Sequence, residues 1–179
     1  MLGDSLTAGP GLSSAQAYPA LLQERARAAG YPHRFVNAGV SGDTTADGLR
    51  RLDAALHTDT RVLVVALGAN DGLRGIQVAT VTANLRQILE RARGRGIRVL
   101  LAGMETPPTH GWQYSVDFHF IYPGLAEEFG VPLMPFLLEG VAGERALNLP
   151  DGVHPNAAGM RVIAQMMWPH LEPLLQETR

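Results

Sequence analysis

The chain of 179 residues contains no cysteine. Disulfides, thiolate metal sites and a cysteine nucleophile are therefore excluded. The numbers of basic and acidic residues are also nearly equal, with 15 Lys and Arg against 17 Asp and Glu. A formal net charge of −2 lacks the excess of basic residues that nucleic-acid-binding proteins and polybasic membrane contacts carry, so neither kind of partner is expected.

Long apolar runs, internal repeats and low-complexity tracts are absent as well. No run is long enough to span a bilayer, and no leader peptide is visible at the N-terminus. A mature exported protein without its leader would look the same, so a periplasmic or secreted location and a cytoplasmic one both stay open. There is no G-x-x-x-x-G-K-[ST] loop and no G-x-S-x-G elbow, which argues against a P-loop nucleotide-binding protein and against an α/β-hydrolase.

Short apolar runs alternate with helical periodicities along the chain. A first strand is expected to end at Gly3, and others are predicted at residues 34–37, 61–67, 97–102 and 131–134. The runs at 61–67 and 97–102 are apolar on both faces, which is typical of parallel strands covered by helices on each side. Helical spacing is found at residues 18–29, 46–56, 78–93, 112–129 and 157–175. Pro123 is expected to kink or break the fourth of these helices. The alternation predicts one α/β domain with right-handed crossovers over residues 1–179.

The first strand is unusual because only Met1 and Leu2 precede Gly3, whereas a typical strand has about 5–6 residues. Either the strand is short or the natural polypeptide starts several residues upstream, and we expect the second.

Two blocks at opposite ends of the chain carry a nucleophile and a base. Ser5 follows the first strand in the sequence GDSL, and His154 lies in DGVHPN just before the last helix. Histidine is the usual general base near neutral pH. Asp151, three residues earlier, can reach one ring nitrogen and fix the tautomer. Taken alone, each block also fits a turn or a helix cap.

Two further blocks carry potential oxyanion donors. Glycines in NAGVSGDTT, including Gly42, follow the second strand and leave backbone N–H groups free to face a ligand. Asn70, in GAND after the strongest strand, has an amide that can donate without titrating. All four blocks follow strands or precede helices, and a parallel sheet brings such loops to one edge. A nucleophile, a base, an orienting acid and two donors are the groups that acyl transfer needs.

With GDSL at the start, SGDTT, GAND and DGVHPN, the sequence resembles the SGNH (GDSL-type) hydrolases over nearly its whole length. The resemblance is closest to the bacterial thioesterase I/lysophospholipase L1-like arylesterases. It implies a three-layer α/β/α sandwich with a five-stranded parallel sheet in the flavodoxin-like order. It implies a catalytic triad and an oxyanion hole with no metal or cofactor; the triad is Ser5, Asp151 and His154, and the hole consists of Ser5, Gly42 and Asn70.

The resemblance also suggests a substrate. We expect hydrolysis of aryl or short-to-medium acyl esters, with acyl thioesters and lysophospholipids as further candidates. Related enzymes have a mobile substrate loop after the strand that corresponds to 97–102. Pro107, His110 and Trp112 are therefore expected to line the acyl pocket, and the alternative is that they form a plain surface loop. A carbohydrate O-deacetylase and a binding protein without turnover are the competing functions. The chain length of the acyl group and the oligomeric state stay open.

The remaining histidines have neither metal-ligand spacing nor an acidic partner in the sequence. We interpret them as surface or packing residues; they are His33, His57, His119 and His170.

Overall fold

The computed structural model describes residues 1–178, in which five strands and nine helices are assigned. The strands are β1 (Leu2–Gly3), β2 (Ala38–Gly39), β3 (Val62–Ala66), β4 (Arg98–Ala102) and β5 (Leu133–Met134). The helices are α1 (Ser5–Ala8), α2 (Tyr18–Ala28), α3 (Thr45–Arg50), α4 (Leu52–Ala55), α5 (Ala69–Arg74), α6 (Val78–Gly94), α7 (Trp112–His119), α8 (Ile121–Phe129) and α9 (Ala157–Glu177). Two 3-10 turns lie at Ser14–Gln16 and Pro108–His110.

All five strands are parallel, in the order β2-β1-β3-β4-β5. Helix α2 packs against α9, while α6 packs against α3 and α8. Both α6 and α9 also contact β4. The apolar runs at β3 and β4 are buried because helices cover both faces. The predicted three-layer α/β/α sandwich with a five-stranded parallel sheet is confirmed.

The long helices bury one stripe each. In α6 the buried side chains recur at helical spacing, and they are Val81, Leu85, Ile88, Leu89 and Ala92. In α9 the stripe includes Ile163, Met167 and Leu171, while Pro169 and Pro173 of the same helix are exposed. Each fully buried leucine or isoleucine contributes roughly 1.5–3 kcal/mol relative to leaving it in water. These stripes form one contiguous core with the strands.

Two predicted boundaries are wrong. The strand expected at 34–37 forms at Ala38–Gly39 instead, because its partner β1 starts at Leu2, which pairs with Ala38. The helix expected at 46–56 is divided into α3 and α4 at Arg51, whose side chain is hydrogen-bonded away from the helix.

The helix predicted at 112–129 also divides. The break lies at Phe120, three residues before Pro123. Pro123 therefore falls in the first turn of α8, where the missing N–H leaves no hydrogen bond unmade. The expectation of a kink or break is confirmed, and the proline marks the start of the second helix.

The topology brings separate parts of the chain to one edge. The connection after β1 leads to β2 on one side, and the chain then returns to β3 on the other side. Ligand sites in such sheets form beyond the carboxyl ends of the strands where the order reverses. Ser5, the loop at 40–44 and Asn70 directly follow β1, β2 and β3 at this edge. None of the helices within residues 1–178 combines the length and the apolar character needed to cross a bilayer.

Candidate active site

Ser5 is the first residue of α1 and lies half-buried immediately beyond β1. The carboxylate of Asp4 accepts a hydrogen bond from the Leu6 N–H at 2.9 Å and so caps this short helix. A side chain at Gly3 would collide with the rest of the turn, since its Cβ would lie 2.0 Å from Thr7 Oγ1. The tight turn aims Ser5 from the end of a rigid strand toward the sheet edge.

The loop with His154 is held by hydrogen bonds at both of its ends. Asp151 Oδ1 accepts from the N–H groups of Val153 and His154 at 2.9 and 3.0 Å. Gly152 takes a positive φ of 71°, which the turn requires. Asn156 caps α9 by accepting from two backbone N–H groups of the first turn. The imidazole therefore projects from a fixed turn at the start of the last helix.

Ser5 and His154, 149 residues apart, meet at this edge. The Ser5 Oγ lies 3.0 Å from His154 Nε2, and His154 Nδ1 lies 2.7 Å from Asp151 Oδ2. Hydrogen bonds from the backbone N–H and imidazole of His154 lower the pKa of the Asp151 carboxyl to about 2. The ionised carboxylate can only accept, so Nδ1 carries the proton and the Nε2 of a neutral ring is left to accept from the serine.

Two backbone N–H groups on the segments that follow β1 and β2 are available to a ligand. Among the described residues, no acceptor is bonded to the N–H of Ser5 or to the N–H of Gly42. Gly42 has a φ of 86°, a conformation that favours glycine. Its carbonyl oxygen accepts from Arg74 Nη2 at 3.0 Å, which fixes the peptide that follows.

The amide of Asn70 faces the same area. Its Nδ2 donates to the carbonyl oxygen of Asp43 at 3.0 Å and to Asp4 Oδ2 at 3.3 Å. Both hydrogens of the amide thus have acceptors in the protein.

A buried network joins the loops that carry Gly42 and Asn70. Asp71 is buried and accepts from Thr45 N at 2.8 Å and from Thr45 Oγ1 at 2.6 Å. Asn84 Nδ2 donates to the same threonine oxygen at 3.0 Å. Burial raises the pKa of Asp71, while the two hydrogen bonds from Thr45 lower it. Asp4 and Asp71 thus each accept a hydrogen bond from a backbone N–H.

Asp4 is fully buried beside the nucleophile. Burial raises the pKa of its carboxyl from 3.8 to about 6, against the hydrogen bonds from Leu6 and Asn70, which lower it. The Asp4 carboxyl therefore binds its proton more tightly in the folded protein than in the unfolded chain. The stabilisation that results is complete below about pH 4 and is lost as the pH rises through about 6.

We expect Asp4→Asn to remove this pH dependence. The wild type should lose stability relative to the variant between about pH 4 and 7, by an amount on the order of 3 kcal/mol, from about 1.4 kcal/mol per pKa unit. Urea unfolding of both proteins across this range measures the difference. Asp59→Asn, at an exposed carboxyl, corrects for the loss of one negative charge. Parallel stability curves for wild type and Asp4→Asn would contradict the prediction.

The segment expected to line an acyl pocket lies on the surface beside α5. His110 Nε2 is 3.0 Å from the carbonyl oxygen of Leu73, and its ring packs against Gly75. Pro107 is exposed, and Trp112 is 75% exposed at the start of α7. The structure thus fixes His110 next to the helix that begins with Ala69 and Asn70.

One of the other histidines has an acidic partner that its sequence position did not indicate. His119 Nδ1 lies 2.6 Å from Glu105 Oε1, on the surface. Glu105 lies 14 residues away, so the sequence around His119 gave no sign of this pair, and His119 lies on the surface as expected. Within residues 1–178 no group of three or more His, Asp or Glu side chains is placed to hold a metal ion.

A groove of about 330 Å³ lies at the opposite, amino edge of the sheet. Its walls include Phe35, Val62, Leu171 and Leu175. It contains neither Ser5 nor His154 and so is separate from the candidate site.

Sequence reasoning missed three side chains of the site. Arg51 donates to the carboxylate of Asp43 and to the carbonyl oxygen of Gly3. Arg74 donates to the carbonyl oxygen of Gly42. In the sequence, only the position of Asp43 within SGDTT indicated that the residue belongs to the site. The residues bound by the two arginines lie up to 48 residues away, so no local pattern indicates these contacts.

The whole chain has close relatives among known proteins. The profile of the GDSL-like Lipase/Acylhydrolase family matches residues 1–162. Esterase TesA of Pseudomonas aeruginosa is 43% identical over 176 residues, covering 98% of this chain and 88% of that protein. Thioesterase 1/protease 1/lysophospholipase L1 of Escherichia coli K12 is 42% identical over 176 residues, covering 98% and 83%. The crystal structure of AlinE4, an SGNH-hydrolase family esterase, superimposes with a TM-score of 0.80 at 43% identity, covering 96% and 93%.

These matches extend over nearly the full fold and confirm the prediction of a serine ester hydrolase. The chain belongs to the GDSL-like lipase/acylhydrolase family, also described as the SGNH hydrolases.

Proposed function

We propose that the protein hydrolyses carboxylic esters through an acyl-enzyme on Ser5, with His154 as general base and Asp151 as its orienting acid. The observation that carries the proposal is the continuous chain of short contacts, 3.0 Å from Ser5 Oγ to His154 Nε2 and 2.7 Å from His154 Nδ1 to Asp151 Oδ2. No cofactor is required for this chemistry.

Acylation begins when the substrate carbonyl lies against Ser5. The hydroxyl proton passes to His154 Nε2 as Oγ attacks the acyl carbon, and the carboxylate of Asp151 stabilises the imidazolium that forms. The negative charge develops on the carbonyl oxygen. Two free N–H groups, of Ser5 and Gly42, and the Asn70 amide are the donors proposed to bind it.

Collapse of the tetrahedral intermediate breaks the bond to the leaving group. His154 gives its proton to the departing alcohol, phenol or thiol, which leaves the acyl group on Ser5. A water molecule then loses a proton to His154 and attacks the same carbon. The bond from this carbon to Ser5 Oγ breaks, His154 returns the proton to Oγ, and the acid leaves the regenerated enzyme.

Asn70→Ala is expected to lower kcat by about 10²–10³, the usual cost of one oxyanion donor. Because the hydrogen bond to the oxyanion strengthens only in the transition state, KM should change little. Steady-state kinetics with p-nitrophenyl acetate measures both constants. Asn37→Ala serves as the matched control, since its amide also donates to a backbone carbonyl, that of Thr7, outside the proposed hole. An unchanged kcat in Asn70→Ala would remove this residue from the proposed site.

The proposed substrates are small aryl esters and short-to-medium acyl esters, with acyl thioesters and lysophospholipids as further members. The names of the relatives support this range, since one is an esterase and another a thioesterase and lysophospholipase. We propose no nucleic-acid partner, and the nearly balanced charge of the chain supports this.

Trp112 is proposed to contact the acyl chain. Trp112→Ala should lower kcat/KM for an octanoyl ester by about tenfold and leave kcat/KM for the acetyl ester unaffected, because only the longer chain reaches the indole. The substitution would remove about 50 Å² of apolar contact with the octanoyl chain, which corresponds to roughly 1.3 kcal/mol. A p-nitrophenyl ester series from C2 to C12 measures the profile. Phe120→Ala, at the other exposed aromatic of this region (63% exposed), is the control. Identical chain-length profiles in all three proteins would leave 107–112 as a surface loop.

Covalent labelling tests the proposed function as a whole. A fluorophosphonate should bind once per chain, on the peptide that contains Ser5, and ester turnover should fall in proportion to labelling. Absence of labelling, or labelling at another residue with loss of turnover, would overturn the assignment and favour a binding protein.

A further inference from the structure

Arg51 contacts both of the loops that flank the candidate site. Its Nη2 donates to the carbonyl oxygen of Gly3 at 2.9 Å, two residues before the nucleophile. Its Nε donates to Asp43 Oδ2 at 2.5 Å, one residue after Gly42. Both side chains are largely buried, with 23% of Arg51 and 12% of Asp43 exposed.

The break in the helix explains how Arg51 reaches this position. Arg51 ends α3 with φ −98° and ψ 5°, and α4 starts at the next residue. The side chain returns toward the beginning of α3, where Thr44 caps the helix directly after Asp43. A guanidinium presents several donors in a fixed plane, so one side chain can hold a carboxylate and a carbonyl oxygen together.

The strands below these loops are short. Among residues 1–178, β1 and β2 pair through Leu2 with Ala38 and Gly3 with Gly39, with hydrogen bonds from Ala38 N to the oxygen of Met1 and from Val40 N to the oxygen of Gly3, and Asn37 Nδ2 donates to the oxygen of Thr7 just beyond β1. Beyond this point, the separation between Ser5 and Gly42 depends on side chains. The carbonyl oxygen of Asp43 also accepts from Asn70 Nδ2 at 3.0 Å.

We propose that Arg51 is a positioning residue for ester hydrolysis: by bridging Gly3 and Asp43 it fixes Ser5, which follows β1, relative to the proposed oxyanion donors Gly42 and Asn70. The inference rests on the proposed function. Arg51 itself touches neither the substrate nor the reacting atoms, and it acts through the two residues that it binds.

Loss of the contacts made by Arg51 is expected to lower kcat. Oxyanion hydrogen bonds form only as the tetrahedral intermediate develops, so a displaced donor weakens the transition state and leaves ground-state binding intact. A displacement of about 1 Å costs up to about 10²-fold in rate. Lysine keeps the charge at position 51 but has a single ammonium group in place of the planar fork.

The test compares Arg51→Lys and Arg51→Gln with the same substitutions at Arg50. Arg50 is 74% exposed, and its salt bridge goes to Asp47 within α3. We expect kcat for p-nitrophenyl acetate to fall roughly 10- to 100-fold in the Arg51 variants, with KM within about twofold of the wild type. The affinity for an alkyl boronic acid, whose tetrahedral adduct places an oxygen among the donors, should fall by a similar factor. The Arg50 variants should match the wild type in all three measurements.

Asp43→Asn removes the charged acceptor that Arg51 binds, and it provides a second test if an Arg51 variant fails to fold. It should give the same loss of kcat and of boronic acid affinity. The double variant Arg51→Lys/Asp43→Asn should be no slower than the slower single variant, because both remove one interaction. Burst titration of active sites and thermal unfolding determine the folded fraction of every protein.

Arg51 variants with kcat and boronic acid affinity within about twofold of the wild type would overturn the inference. So would losses that disappear once rates are divided by the fraction of active sites, or fully additive losses in the double variant. Failure of the proposed function is separate, because it would appear as ester turnover in a protein that lacks the Ser5 hydroxyl.

Discussion

Ser5→Ala is expected to lower kcat for ester hydrolysis by about 10⁶, which corresponds to roughly 8 kcal/mol of transition-state stabilisation. Without Oγ no acyl-enzyme can form, and His154 has no hydroxyl to deprotonate. The residual rate should exceed that of water alone, because the Ser5 N–H is a backbone group and survives the substitution together with Gly42 and Asn70.

Stopped assays with p-nitrophenyl acetate and an acyl-CoA ester measure the loss for oxygen and sulfur leaving groups. The fold should be unaffected, since within residues 1–178 the Ser5 Oγ is hydrogen-bonded only to His154. Ser14→Ala is the control, at an exposed serine in the turn that follows α1. A Ser5→Ala protein that retains even one-hundredth of wild-type turnover, with no contaminating esterase, would refute nucleophilic catalysis by this residue.

The layered architecture was predictable because it depends on local patterns. The apolar runs at β3 and β4 and the stripes of α6 and α9 each require burial wherever they occur in the chain. The division at Arg51 was not predictable, because Leu49, Leu52 and Leu56 continue the helical spacing through it. The break places Arg51 in contact with Gly3, which is 48 residues away, and nothing in the local sequence indicates that contact.

The meeting of Ser5 with His154 was predictable for a topological reason. Both residues lie on loops at one edge of a parallel sheet, and that follows from the order of strands and helices alone. The hydrogen bonds that fix the loops of the proposed oxyanion donors were not predictable. Arg51, Arg74 and Asn84 form these bonds with residues that are 32 to 48 positions away in the sequence. Each looks like an ordinary helical residue in the sequence.

The structure separates the two tasks of the site. The proposed proton relay depends on contacts within the short segment from Asp151 to Asn156, plus one contact to Ser5. The proposed oxyanion donors depend instead on long-range contacts among three loops. Substitutions in the first group should therefore change proton transfer without moving the donors, and those in the second group should do the reverse.

Asp151→Asn should lower kcat by about 10⁴ while leaving the turn intact. The asparagine Oδ1 can still accept from the N–H groups of Val153 and His154, as the aspartate does at 2.9 and 3.0 Å. The group that faces His154 Nδ1 becomes an NH₂ donor. Nδ1 must then accept, the proton moves to Nε2, and the ring can no longer accept the proton of Ser5.

The pH dependence distinguishes this tautomer effect from a general loss of charge. Since the pKa of Asp151 lies at about 2, the carboxylate stays ionised throughout the range in which the fold can be assayed. Its own titration should therefore leave no step in the kcat profile of the wild type between about pH 4 and 9. Asp151→Ala removes the acceptor for both backbone N–H groups as well, so it should lose thermal stability, which Asp151→Asn should keep. Equal kcat in Asp151→Asn and the wild type would show that another group orients the imidazole, and no other carboxylate among residues 1–178 is within hydrogen-bonding distance of its ring nitrogens.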